Sequence, residues 1–340
     1  MHFTKKVLHN GLRVITVPMK DNPTVTVLVL VEAGSKYETK KISGLSHFLE
    51  HMCFKGTIKR PKSIDISKEL DSLGTESNAF TGEEYTGYYA KADAKHFSQI
   101  FDVISDIYLN STFPEAEMEK EKGVIIEEIN MYEDMPQRHV GDLLMKLLYG
   151  DQPAGWNIAG KRENVRQMKR QDFIQYKKDH YVPAATIVVV AGHIKESDVL
   201  EEVKKSFGQI QKSPKKNKIK VKERQIKPQV LIKYKKTDQS HLALGFRTFD
   251  IFSKQNPSLA VLTSILGGGM SSRLFQRLRE EMGVCYYVNA GANPLTDHGY
   301  LEIRAGVDNK RALEVIKAIL EECHKLKMAL VPSDELNKAK

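Results

Sequence analysis

The pentapeptide His47-Phe48-Leu49-Glu50-His51 constrains the local fold of this chain more tightly than any other stretch. Each residue of a helix advances about 100°, so His47 and His51 lie about 40° apart on one stripe and can reach a common point. Glu50 falls in the same sector. Two neutral imidazoles with a carboxylate at hand are what a catalytic zinc needs: borderline nitrogen ligands and a base beside an activated water. The competing reading is a pair of ordinary histidines on a helix surface or in a core. Composition produces such a pentapeptide by chance on the order of 0.03 times in a chain like this.

A catalytic zinc usually takes a third protein ligand. Residues 114–135 offer one. Pro114 suits a first helical turn, and EAEMEKEKGVIIEEINMYED follows without another proline until Pro136, which predicts a long amphipathic helix. Val124, Ile125, Ile126 and Ile129 imply that its middle is buried. Glu121 and Glu128 fall within about 20° of each other on one stripe, whereas Glu127 projects about 100° from Glu128 and is the weaker candidate on geometry. A solvated acidic face is the alternative for such a helix. The order H-x-x-E-H, the inverse of the commoner H-E-x-x-H, is the inverzincin pattern.

With these residues in place the chain resembles the pitrilysin-type zinc metallopeptidases, which include insulin-degrading enzyme and the mitochondrial processing peptidase. The likeness runs along nearly the whole chain, through LHNGLRVITVP, AGSKYE, GLSHFLEHMCFKGT, SNAFTGEEYTGYYAKA, EKEKGVIIEEINMYEDMP, GDQPAGWNIAG, HYVPAATIVVVAGHI and LGGGMSSRLFQRLREEMGVCYYV. The resemblance implies that His47, His51 and Glu128 ligate one zinc ion per chain, with Glu127 the registered alternative to Glu128. It makes Glu50 the catalytic base and Glu121 a supporting carboxylate that orients a histidine. The implied activity is that of a zinc metalloendopeptidase hydrolysing short or unfolded polypeptides through activated water, without a covalent enzyme intermediate. The implied fold is α+β, two homologous halves, each a mixed or antiparallel sheet covered by helices. A non-catalytic or partner-dependent scaffold subunit of the same fold is the alternative, although such subunits typically lose motif residues and this chain keeps them.

Two further groups of residues bear on substrate. Asn78-Ala79-Phe80-Thr81 precedes Glu84-Tyr85-Thr86-Gly87-Tyr88-Tyr89-Ala90, whose aromatic and β-branched content predicts strands beside the motif helix. An exposed strand edge holds a peptide by backbone pairing, a sequence-tolerant mode, and the resemblance makes Asn78 and Ala79 substrate-binding. It also implies that Arg279 and Tyr286 reach substrate from the second half, where either could stabilise a developing oxyanion. Without the resemblance, Arg279 is a surface helix residue and Tyr286 a strand residue. Gly267-Gly268-Gly269 lacks a phosphate-loop pattern and reads as a bend between helices.

At 340 residues the chain is long enough for two cores, and its apolar runs fall short of the roughly 20 residues of a membrane span. Lys5-Lys6 leads directly into a strand pattern with no apolar signal region, so a cytoplasmic location is expected. Cys53, Cys285 and Cys323 are too scattered for a disulfide framework, and Cys53 points off the ligand stripe, toward packing. The net charge of +9 concentrates near Lys204–Lys236, where aromatics are few. That stretch reads as an interdomain linker and solvated face, not a nucleic-acid surface.

Strands are predicted near Arg13–Val17, Val25–Glu32, Tyr85–Ala92 and Thr186–Ala191, then near Gln229–Tyr234, His241–Phe246, Val284–Ala290 and Gly299–Val307. Helices are predicted over Pro257–Leu266 and Lys310–Leu326. Strand, strand, helix recurs, with Ser258-Leu259-Ala260-Val261-Leu262 where the first half has its histidines. The chain therefore reads as a duplication with one catalytic half: a catalytic domain over residues 1–218 and a homologous substrate-binding domain over 219–340. Ser333–Lys340 reads as the start of a helix where relatives continue, which makes the second domain incomplete. Small relatives pair two chains to close a chamber, so a homodimer or a heterodimer with a related subunit is expected.

Overall fold

Alternating β-branched residues build the centre of a six-stranded sheet in this computed structural model, which describes residues 2–340. Its strands are β1 (Thr4–Val7), β2 (Arg13–Pro18), β3 (Thr24–Val31), β4 (Glu76–Thr81), β5 (Thr86–Asp93) and β6 (Thr186–Gly192), in the order β1-β2-β6-β3-β5-β4. Only β2 and β6 run parallel. Along β3 every second residue, Val25, Val27, Val29 and Val31, is buried, the period-2 signature of a strand with one face on a core. β4 is an outer strand, paired with β5 alone.

The helices that accompany this sheet are α1 (Leu45–Cys53), α2 (Ser63–Ser72), α3 (Phe97–Leu109), the long α4 (Glu115–Asp134), and, after α5 (Pro136–Tyr149), α6 (Arg162–Gln167), α7 (Arg170–His180) and α8 (Glu196–Phe207). Phe97, Ile100, Phe101 and Ile104 of α3 are buried in the same core as the β3 valines. Phe48 of α1 meets Phe173 of α7 edge-on, 4.8 Å between ring centres. These contacts fix α1 on its apolar side and leave its histidine stripe facing the other way.

The second sheet is antiparallel: β7 (Gln239–Thr248), β8 (Cys285–Pro294) and β9 (Gly299–Asp308), ordered β7-β9-β8. It is accompanied by α9 (Asn256–Gly267), a π-helical segment Phe275–Glu281, α10 (Ala312–Met328) and α11 (Ser333–Ala339). Val315, Ala318 and Ile319 of α10 share a core with Ile303, Ala305 and Val307 of β9. The duplication shows in detail: each hairpin ends in an aspartate, Asp93 or Asp308, whose carboxylate caps a short 3-10 turn before the next helix.

The chain folds as two compact units, one made of residues up to Asn130 with Trp156–Ile219, the other of Met131–Gly155 with Lys220–Lys340. They differ from the contiguous segments 1–218 and 219–340 chiefly in residues 131–155, which with α5 pack in the second unit, and by one residue at Ile219, which falls in the first. Gly245 of β7 makes room for that packing, since a Cβ there would stand 2.8 Å from Leu144 and 2.9 Å from Leu148 of α5.

The strand expected over Gln229–Tyr234 does not form. Its alternating apolar residues have no ladder partner among the described residues, and Val230, Ile232 and Tyr234 are 83%, 88% and 89% exposed. The basic stretch is mostly exposed, as a solvated face is, and three of its lysines form ion pairs, Lys215 with Glu32, Lys216 with Asp179 and Lys218 with Glu84. Cys53, Cys285 and Cys323 are free thiols, and Cys53 is buried as expected.

Candidate metal centre

α1 begins at Gly44, whose φ of 101° suits glycine and whose α-carbon lies so close to Ala159 that a Cβ would stand 2.6 Å from that carbonyl oxygen. Glu38 receives the helix's opening N–H groups: Gly44 N donates to Oε2 at 2.7 Å and Ser46 N to Oε1 at 2.6 Å. A carboxyl at this end complements the helix dipole. Burial nevertheless pushes the Glu38 pKa up to about 8, with the two N–H donors opposing it.

One turn into α1, His47 and His51 bring their Nε2 atoms to 3.3 Å. Glu128, from the middle of α4, places Oε2 3.5 Å from His47 Nε2 and 3.6 Å from His51 Nε2. These three residues form the one metal-competent group found among the described residues, with one ligand atom from each lying within 4.8 Å of the others. Glu127 is exposed and faces Asn130 instead, whose side chain donates to it at 3.4 Å.

The donor set fits zinc. Nitrogen and oxygen ligands about 2.0–2.1 Å from a tetrahedral ion are themselves about 3.3–3.5 Å apart, close to the 3.3, 3.5 and 3.6 Å sides of this triangle. His47 Nδ1 is buried without a hydrogen-bond partner, so its Nε2 is the nitrogen turned to the group. His51 Nδ1 is 2.9 Å from Glu121 Oε1, and the other oxygen of Glu121 lies 2.6 Å from Lys55 Nζ. That contact orients the His51 ring, as a carboxylate behind a ligating histidine does.

Charge is distributed unevenly across the site. Burial, reinforced by the neighbouring His51, pushes the His47 pKa down to about 4 and keeps it neutral. Burial also works against a charged His51, but the Glu121 hydrogen bond and the surrounding carboxylates outweigh it and raise that pKa. Glu50 is raised by burial, with the Thr81 hydroxyl opposing. Glu121 sits below the usual carboxylate range because His51 and Lys55 overcome its burial.

Asn78 and Ala79 lie on the outer strand β4, Asn78 exposed and its Oδ1 accepting from Ala79 N at 2.8 Å. Arg279 and Tyr286 belong to the second unit, where the guanidinium donates to the Tyr286 carbonyl at 2.9 Å and the tyrosine is 74% exposed. Three residues that the motif did not single out as site residues also support it. Lys55 stands four residues past His51, just beyond the end of α1 at Cys53, a spacing that could have flagged it. Glu38 and Thr81 meet α1 only through the tertiary fold and leave no mark in local spacing.

An α+β fold that brings a His-His-Glu triangle together from α1 and α4 is a scaffold suited to metallopeptidase chemistry. Residues 13–162 match the family described as Insulinase (Peptidase family M16), and residues 167–340 match the Peptidase M16 inactive domain. The chain belongs to peptidase family M16. It is 38% identical over 334 residues to the uncharacterized zinc protease YmxG of Bacillus subtilis, covering 97% of this chain and 80% of that protein. An uncharacterized zinc protease of Rickettsia bellii is 33% identical over 340 residues, covering 100% of this chain and 81% of its own length. A protease from Helicobacter pylori shares the fold with a TM-score of 0.91 at 24% identity, over 99% of this chain and 83% of the other. His47, Glu50, His51, Glu121 and Glu128 all fall within the first match, Arg279 and Tyr286 within the second. Among the described residues no helix is long and apolar enough to cross a membrane.

Proposed function

We propose that the chain is a zinc-dependent endopeptidase acting on short or unfolded polypeptides, with His47, His51 and Glu128 as its metal ligands. The observation that carries this reading is the convergence of those three donors beside Glu50, at separations a tetrahedral ion requires. The relatives described as zinc proteases support the choice of metal and reaction class. Zinc bound there supplies Lewis acidity, which polarises a peptide carbonyl and lowers the pKa of water.

The rest falls to the chain's own groups. Glu50 takes the proton from the attacking water and returns it to the leaving amine, and burial, which raises its pKa, favours its holding the proton between the two transfers. Glu121 holds the proton on His51 Nδ1, which leaves Nε2 as the free nitrogen. The outer edge of β4 pairs with the peptide backbone, with Asn78 and Ala79 as contacts. Arg279 and Tyr286 serve the substrate from the second unit, and such donors act by stabilising a developing oxyanion.

Metal analysis combined with cleavage of an unstructured peptide mixture tests the assignment. Glu50→Gln should retain zinc and lose roughly 10²–10⁴-fold in rate. Glu128→Gln should lose zinc, and Glu127→Gln should keep both zinc and activity. Zinc retained in Glu128→Gln would move the third ligand elsewhere. Bound zinc in a wild-type chain that cleaves nothing would favour a partner-dependent subunit.

A further inference from the structure

Thr81 closes β4, and its hydroxyl donates to Glu50 Oε2 at 2.5 Å. The contact ties the carboxylate beside the metal ligands to the strand that offers its edge to solvent, across 31 residues of sequence. Thr81 itself is held on a rigid mount. It pairs with Thr86 across the hairpin, and Gly82 N donates to Tyr85 O at 2.8 Å to close the turn. From the other side, Ser35 N and Lys36 N donate to the carbonyls of Gly82 and Glu83 at 3.2 and 2.9 Å. The fully buried Lys36 ammonium reaches Glu84 at 2.9 Å, and Lys218 joins the same carboxylate at 3.2 Å. A donor fixed from so many directions does not follow the side chain it touches; the side chain follows the donor.

We infer that Thr81 is the positioning residue for the general base: its hydroxyl fixes one oxygen of Glu50 and leaves the other, Oε1, aimed for proton transfer. This rests on the peptidase reading above and adds a coupling to it. The base takes its position from the end of the strand that pairs with the peptide, so base and scissile bond share one reference frame. Orientation of this kind is worth rate rather than affinity, because ground-state binding does not require the carboxylate to be aimed.

Thr81→Val keeps the shape and the strand preference of the side chain while removing the donor; Thr81→Ser keeps the donor. Purified wild type, both variants and Glu50→Gln should be compared for zinc content, thermal midpoint and steady-state cleavage of one unstructured peptide. Thr81→Val is expected to keep its zinc and midpoint and to lose roughly 10–100-fold in kcat, the range for losing a group that orients a site residue. KM should stay within about twofold, and Thr81→Ser should recover most of the loss. In a crystal of Thr81→Val the Glu50 carboxylate should adopt more than one rotamer. Thr81→Val turning over like wild type while Glu50→Gln is dead would overturn this inference alone. Equal losses in the Val and Ser variants, or a loss confined to KM or accompanied by loss of zinc, would also overturn it, since these report shape or metal retention. If Glu50→Gln cleaved as fast as wild type, the peptidase reading and this inference would fall together.

Discussion

Lys55 sits just past the end of α1, and its ammonium lies 2.6 Å from Glu121, whose other oxygen contacts His51 Nδ1 at 2.9 Å. The cation compensates a buried carboxylate, which then has the charge to hold the imidazole; stripped of the cation, the same carboxylate would be costly to keep ionised where it sits. Lys55→Met is therefore expected to weaken zinc binding by roughly 10–100-fold, the usual penalty for losing a partner behind a metal ligand. Chelator competition on the purified protein measures this directly. Lys59→Met provides the control, because Lys59 is an exposed lysine of the same segment that pairs with Asp102 instead. Equal zinc affinities in the two variants would remove Lys55 from the site. The His-x-x-Glu-His spacing and the Glu121/Glu128 stripe were legible because helical periodicity alone puts those groups together. Thr81 and Glu38 were not, since their contacts with α1 depend on where a strand and a loop arrive.

Helix α1 is placed from its beginning. Glu38 takes the N–H groups of Gly44 and Ser46, so the register of the histidine stripe depends on a carboxyl outside the helix. Burial holds that carboxyl at about 8 against an ordinary 4.5. A carboxyl raised in the folded state contributes its stability fully below pH 4.5 and loses it as pH climbs toward 8, because the unfolded chain releases the proton first. The stability difference between wild type and Glu38→Gln should then shift in favour of the variant by about 5 kcal/mol across that window. Urea denaturation at several pH values reads the shift, and a difference that does not vary with pH would mean that Glu38 titrates alike in both states. Element positions were mostly legible. Alternating valines marked β3 and proline-bounded amphipathicity marked α4, whose observed limits, Glu115–Asp134, lie inside the expected 114–135. The pattern at 229–234 misled because alternation specifies a strand only when a neighbour completes the ladder. β1 escaped because Thr4–Val7 is short and largely exposed, and carries no buried alternation.

The division of the chain as a whole follows packing rather than sequence order. An amphipathic helix such as α5 looks the same whichever core it joins, so nothing local distinguishes Met131–Gly155 from its flanks. Its allegiance is written in tertiary contacts: Leu144 and Leu148 against Gly245, Tyr149 Oη donating to the Gly299 carbonyl at 3.2 Å, and Arg247 on the Leu148 carbonyl. Gln152 adds a two-way link to Lys222, its side chain donating to the Lys222 carbonyl at 2.9 Å and accepting from Lys222 N at 2.8 Å. The second unit therefore takes α5 from before the exposed segment around Arg224–Lys233 and its strands and other helices from after it. Limited trypsin should cut there first, since the segment is exposed, unpaired in any ladder and carries Arg224, Lys227 and Lys233. The pieces should nevertheless remain together on gel filtration in native buffer, because the N-terminal piece carries α5 and with it part of the second core. Denaturant should be required to separate them. Pieces that part at once without denaturant would show that α5 belongs to the first unit and that a contiguous division of the chain is the correct one.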